Sequence, residues 1–172
     1  MNIYKKIIKI TVCGAIIILI SNCTGYKFTP SIPTGVQSIA LMPIVNQTSE
    51  AGLELSLTKA MRSIIQSDGR LILAEPASAD AIINIIITNY KNSPISYQTE
   101  SRSIEPNYYK QRITASASMI KSSTGKIISE TSNYGESAFS FESDLSASKR
   151  GAFTQATEEL ARFLFTDLIE QW

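Results

Sequence analysis

The residue best equipped for chemistry is Cys23, in the stretch "IIILISNCTG" from Ile16 to Gly25. A thiol reacts as its thiolate, which is a strong nucleophile even when only slightly populated. Ahead of it runs an apolar stretch, Ile10 to Ile20, that opens after Lys5, Lys6 and Lys9. Those 11 residues fall well short of the roughly 20 that a helix needs to cross a bilayer core. A basic start, a short apolar middle and small polar residues after it describe a secretory signal. Leu19-Ile20-Ser21-Asn22-Cys23 looks like a lipobox: an aliphatic residue three before the cysteine and a small one just before it. Asn22 is less usual there than Gly, Ala or Ser. In such a signal the sulfur is alkylated by a diacylglycerol and the chain is cut before the cysteine. The expectation is a signal peptide over 1–22 and a mature chain that begins at a lipidated Cys23.

Other chemistry is mostly excluded. The chain has no histidine, which rules out a Ser-His-Asp or Cys-His set and any histidine metal site. Its only other cysteine, Cys13, leaves with the signal, so no disulfide and no free thiolate remain. The eight glycines follow neither GxGxxG nor GxxxxGK, so no phosphate loop is present. Four Asp and eleven Glu show no spacing that selects a catalytic pair. No cofactor, no metal and no enzymatic reaction are expected. Removing Lys5, Lys6 and Lys9 leaves 13 basic against 15 acidic residues, a net charge of −2. Such a balance gives no general attraction to nucleic acid.

The elements that would carry a non-catalytic function follow from periodicity. Residues 23–36 are rich in Pro, Gly and Thr and read as an extended leader. A single domain is expected over 37–172, a length that fits one core. The apolar run "SIALMPIV" is a buried strand, with Pro43 at an edge or at its end. Leu53, Leu57, Ala60, Met61 and Ile64 share one helical face. Thr48 or Ser49 would cap that helix and Gly69 would close it. "RLILA" and "AIINIIITNY" read as strands. The second has Ala81, Ile83, Ile85 and Ile87 on one face, and Ile82, Asn84, Ile86, Thr88 and Tyr90 on the other. Residues 91–109 are polar, contain two prolines and read as a loop of irregular length that could hold strand ends. "QRITASASMI" alternates cleanly, "KSSTGK" is a tight turn, and "IISETSNYGESAFSF" is a further strand. A last helix from about Ser146 carries Phe153, Ala156, Leu160, Phe163, Leu164, Leu168 and Trp172 as its apolar stripe. The expected fold is α+β, with two helices packed on one face of a mixed four- to five-stranded sheet. The opposite sheet face would be small and polar: Thr114, Ser116, Ser118, Ser129 and Thr131.

In this order the residues resemble a known family. "CTGYKF" at the mature start, the passage from Asp68 to Ala81 ("DGRLILAEPASADA"), "NYKNSPISY", the "TGKII" hairpin and the closing "LIEQW" are similar to LptE, the LPS-assembly lipoproteins. The resemblance covers essentially all of Cys23–Trp172. It implies a partner rather than a reaction. LptE proteins sit as a plug inside the LptD β-barrel, which inserts lipopolysaccharide into the outer leaflet, and they help that barrel assemble. Some have been proposed to bind lipopolysaccharide. The implied location is the outer membrane, lipid-anchored and facing the periplasm. Thr24 agrees with that, since an aspartate after the cysteine commonly means inner-membrane retention. Lipid A phosphates would need clustered Lys or Arg, and Arg112, Lys121 and Lys126 are the candidates. The alternative is an outer-membrane lipoprotein that activates a periplasmic cell-wall enzyme or belongs to a secretion assembly.

Overall fold

The computed structural model describes residues 35–100, 103–140 and 145–170, and the side chains of these except 96–107 and 145–146. Among the described residues, six strands and two helices follow in the order β1 (Ser38–Leu41), β2 (Val45–Asn46), α1 (Leu53–Asp68), β3 (Ile72–Leu73), β4 (Ala81–Glu100), β5 (Ser103–Lys121), β6 (Ile127–Ser140) and α2 (Leu145–Ile169). The sheet order is β3-β1-β4-β5-β6, with β2 beside β4. β1 is parallel to β3 and β4, while β4, β5 and β6 form an antiparallel meander. The fold is α+β, as the periodicity predicts, with a mixed open sheet of five to six strands.

Pro43 explains the break between β1 and β2. It offers no N–H to a ladder, and pairing with β4 resumes only at Val45. α1 buries Leu53, Leu57, Ala60, Met61 and Ile65, so Ile65 rather than Ile64 completes its stripe. Its start also differs from expectation. The N-cap is Gly52 in the left-handed region (φ 89°), with no side-chain cap. Thr48 belongs to the turn before it, where its N–H and hydroxyl both donate to Asn46 Oδ1. Asn46 Nδ2 in turn donates to the Glu50 carbonyl and to Glu54 Oε2. Gly69 closes the helix with φ 70° and donates to the Ile65 carbonyl, as expected of a glycine at that place.

α2 buries Phe153, Ala156, Leu160, Leu164 and Leu168, with Phe165 and Ile169 beside them. Phe163 is exposed, at the flank of α2 beside Asn133 and Glu136 of β6. Trp172 lies outside the described residues. Both helices pack on one sheet face, whose inward residues include Ile83, Ile85, Ile87, Ile113, Ala115 and Met119.

Three further expectations need correction. Residues 91–100 and 103–109 are strand rather than loop: β4 and β5 run on as the arms of a long hairpin, paired out to Glu100 and Ser103. β6 ends opposite Tyr108, so beyond it the hairpin is a two-stranded ribbon. Pro94 is tolerated because it sits at a register shift, between Pro94 and Ser96. Tyr90 faces the helices, because a bulge at Thr88 reverses the alternation of β4. Its ring meets Phe153 edge-on at 5.9 Å. Ser129 and Thr131 also belong to the helix face, since they pair with Met119 and Ala117.

Candidate partner surface

The face of the sheet turned away from the helices is built by alternation along β4, β5 and β6, shifted by one residue in β4 at the Thr88 bulge. In register, Asn84, Ser118 and Glu130 form one row, Ile86, Ser116 and Ser132 the next, and Asn89, Thr114 and Tyr134 a third. A fourth row holds Lys91, Arg112 and Glu136. Serine and threonine here leave room between the pleats. A shallow trough of about 520 Å³ runs over Asn84, Ile86, Ser116, Ser118, Glu130 and Ser132. Thr114, Ser116 and Ser118 are half-buried by their neighbours alone.

The opposite face shows why the helices choose their side. β6 presents small and polar groups inward, and α2 supplies their partners. Asp167 accepts hydrogen bonds from Thr131 Oγ1 at 2.9 Å and from Asn133 Nδ2 at 2.5 Å. Glu159 accepts from the backbone N–H of Glu136 at 2.7 Å. Deeper in, Gln111 is fully buried. Its Nε2 donates to Ser137 Oγ at 2.8 Å, and Ser137 Oγ donates to the Ala152 carbonyl at 2.8 Å. This chain satisfies polar groups that would otherwise be costly to bury. Burial beside it pushes the Tyr90 hydroxyl up to about 12, with the Glu50 charge adding to the rise.

The three basic candidates do not form one cluster. Arg112 Nε lies 2.5 Å from Glu136 Oε1, and its guanidinium stacks 4.3 Å over the Tyr134 ring. Lys110 reaches the same carboxylate at 3.3 Å. Arg112 first and Lys110 after it hold the Glu136 carboxyl below its usual range. Lys121 is nine residues further along β5, about 30 Å away at the strand rise. It neighbours Lys126 across the turn, where the Lys121 N–H donates to the Lys126 carbonyl at 2.9 Å. Gly125 closes that turn with φ 65°.

Periodicity gave no hint of Asp80. One of its oxygens, Oδ2, accepts from the N–H of Gln37 at 3.0 Å, the N–H of Ser38 at 2.9 Å and the Ser38 hydroxyl at 2.8 Å. These donors, helped by the Lys121 charge, hold its carboxyl below the usual range. Asp80 thus latches the start of β1 to the start of β4. A second latch joins Asp68 and Arg70 at 2.7 Å, with Glu170, the residue just after α2, at 3.5 Å from the same guanidinium. Both latches fall within the Asp68–Ala81 passage. Nothing in the sequence marks their partners, because Ser38 and Glu170 are far away along the chain.

Cys23 and the signal lie outside the described residues. Among the described residues, no group of three or more His, Cys, Asp or Glu could hold a metal ion, and no helix is long and apolar enough to cross a membrane.

No curated protein matches the chain in sequence. Solved structures resemble it in fold. A hypothetical protein of Chlamydia trachomatis is 12% identical, with 76% of this chain and 94% of that one covered and a TM-score of 0.53. A protein of Xanthomonas campestris is 14% identical, with 80% and 86% covered and a TM-score of 0.51. Rare lipoprotein B from Shewanella oneidensis is 10% identical, with 76% and 92% covered and a TM-score of 0.48. At such identity the first two speak to the fold alone, and the third adds nothing to that. The family described as "LptE: Lipopolysaccharide-assembly" matches residues 36–172, which takes in every described element from β1 to α2. The chain belongs to the LptE family of lipopolysaccharide-assembly proteins.

Proposed function

We propose that this protein is an outer-membrane lipoprotein, tethered by a lipid on Cys23 and facing the periplasm. It works as the plug and assembly partner of an LptD-like β-barrel that moves lipopolysaccharide to the outer leaflet. Family membership supports lipopolysaccharide assembly as the process. The observation that carries the partner role is the face of β4, β5 and β6 that neither described helix covers, with Ser116 near its middle. Both helices pack on the other side. Small hydroxyl side chains suit this role for two reasons. They are content in water, so the domain stands alone, and they let a second wall approach closely while offering donors and acceptors. The role is one of binding and shape, with no covalent step.

For direct contact with lipopolysaccharide phosphates, Lys121 and Lys126 are the stronger candidates. Arg112 already donates to Glu136 and stacks on Tyr134. The test is to tag the full-length protein, solubilise outer membranes and identify what is recovered. The reading expects an LptD-like barrel. Recovery of a peptidoglycan synthase without any barrel would replace it.

A further inference from the structure

The surface on the helix side of the sheet carries a second feature, which does not depend on the plug reading. α1 and α2 touch through Ser56 Oγ and Thr157 Oγ1, 2.9 Å apart, and over their seam lies an open cleft of about 790 Å³. Its apolar part includes Leu55, which is 59% exposed, and Ile64. Its charged part is Lys59, Arg150 and Arg162 against the single carboxylate of Glu158. The cleft is therefore positive, in a chain whose net charge from Cys23 onward is −2. Ion pairs among the described residues engage Arg70, Lys110, Arg112 and Lys149, and none engages the three cations of the cleft. Arg162 is steadied instead by the Phe163 ring, 5.5 Å from its guanidinium carbon.

We propose that this cleft docks an acidic segment of a partner protein. The sign of the charge selects an acidic occupant. The spacing selects a linear one. Arg150 and Arg162 are twelve residues apart on one helix, about 18 Å at the helical rise. A single lipid headgroup cannot span that distance, whereas a helical or extended run of Asp and Glu can. Leu55 supplies the apolar contact around which such a segment anchors, as in helix-in-groove recognition. Glu158, between the two arginines in sequence, opposes a dense polyphosphate more than it opposes carboxylates spaced along a peptide.

A photo-crosslinking amino acid in place of Leu55, in full-length protein in cells, tests this. Irradiation is expected to give a protein adduct whose crosslinked peptide carries an excess of Asp and Glu. Arg150→Glu together with Arg162→Glu should cut the adduct on the order of tenfold, since charge repulsion replaces attraction. Arg150→Lys with Arg162→Lys should keep most of it. Lys59→Glu, on the other helix, should also reduce it, which guards against a folding defect of the α2 variant. Adducts with lipid, a crosslinked peptide without acidic excess, or a yield untouched by charge reversal would each overturn the proposal. Recovery of the barrel from the same cells is scored separately. Its absence from the unmutated pull-down speaks against the plug reading alone, and adduct loss on charge reversal still supports the cleft.

Discussion

Gly135 of β6 lies against the backbone of α2 so closely that an added Cβ would sit 2.0 Å from the Ala156 carbonyl oxygen and 2.7 Å from the Leu160 nitrogen. Both obstacles are backbone, so neither can swing aside. Gly135→Ala must push the helix off the strand, and should destabilise the domain by about 3 kcal/mol or more. Gly151 is the control. It is an exposed residue of α2 with nothing near its missing Cβ, and Gly151→Ala should stabilise by about 0.5–1 kcal/mol. Denaturant midpoints of the two variants check the pair. Equal shifts would mean that α2 does not approach β6 at Gly135.

The α2 stripe gives a second comparison. Leu160 is fully buried, and Leu160→Ala should cost about 2–5 kcal/mol. Phe163, 39% exposed, should tolerate Phe163→Ala within about 1 kcal/mol. A larger loss at Phe163 than at Leu160 would put the helix on the wrong face.

Acid should loosen the latch at Asp80. Its pKa is lowered in the fold, first by the Gln37 N–H. The folded state therefore binds this proton less readily than the unfolded chain does. The stabilisation is complete above the unfolded value, about 4, and is lost as pH falls through the lower folded value. Glu136 and Asp68 share that direction. Melting temperatures from neutral pH down to about pH 3 should fall in the unmutated protein. Asp80→Asn should begin lower and fall less steeply, and parallel curves would show that Asp80 contributes no linkage.

Fatty-acid labelling addresses the anchor. Cys23→Ser should abolish the label and leave an unprocessed precursor, because a serine oxygen does not accept the diacylglycerol. Cys13→Ser should change nothing. Label that persists on Cys23→Ser would refute the anchor assignment.

Much of the architecture was legible because hydrophobic period reports local structure well. The inward face of β5 and the Gly69 and Gly125 turns follow from spacing and backbone freedom alone. The errors share one cause, which is that periodicity cannot see a neighbour. The bulge at Thr88 turns Tyr90 over, and only the register with β5 reveals it. Ser129 and Thr131 look like solvent residues until Asp167 is placed beside Thr131. Polar residues and prolines made 91–109 resemble a loop, although a hairpin with one free edge tolerates both. Arg112 and Lys121 look close in a sequence that folds into a hairpin, yet they lie on the same straight strand.

We expect the open sheet face to meet the wall of a barrel. Ser116 sits in the middle strand of that face, between Ile86 and Ser132. Ser116→Arg places a long charged side chain where it is solvated in the free domain and desolvated or clashing in a complex, at a cost of several kcal/mol. The direct measurement is recovery of the LptD-like barrel with tagged Ser116→Arg protein from cells, alongside the melting temperature of the same purified variant. An unchanged melting temperature and loss of most of the barrel are expected. A variant that keeps both its melting temperature and its full complement of barrel would contradict the contact with the barrel wall.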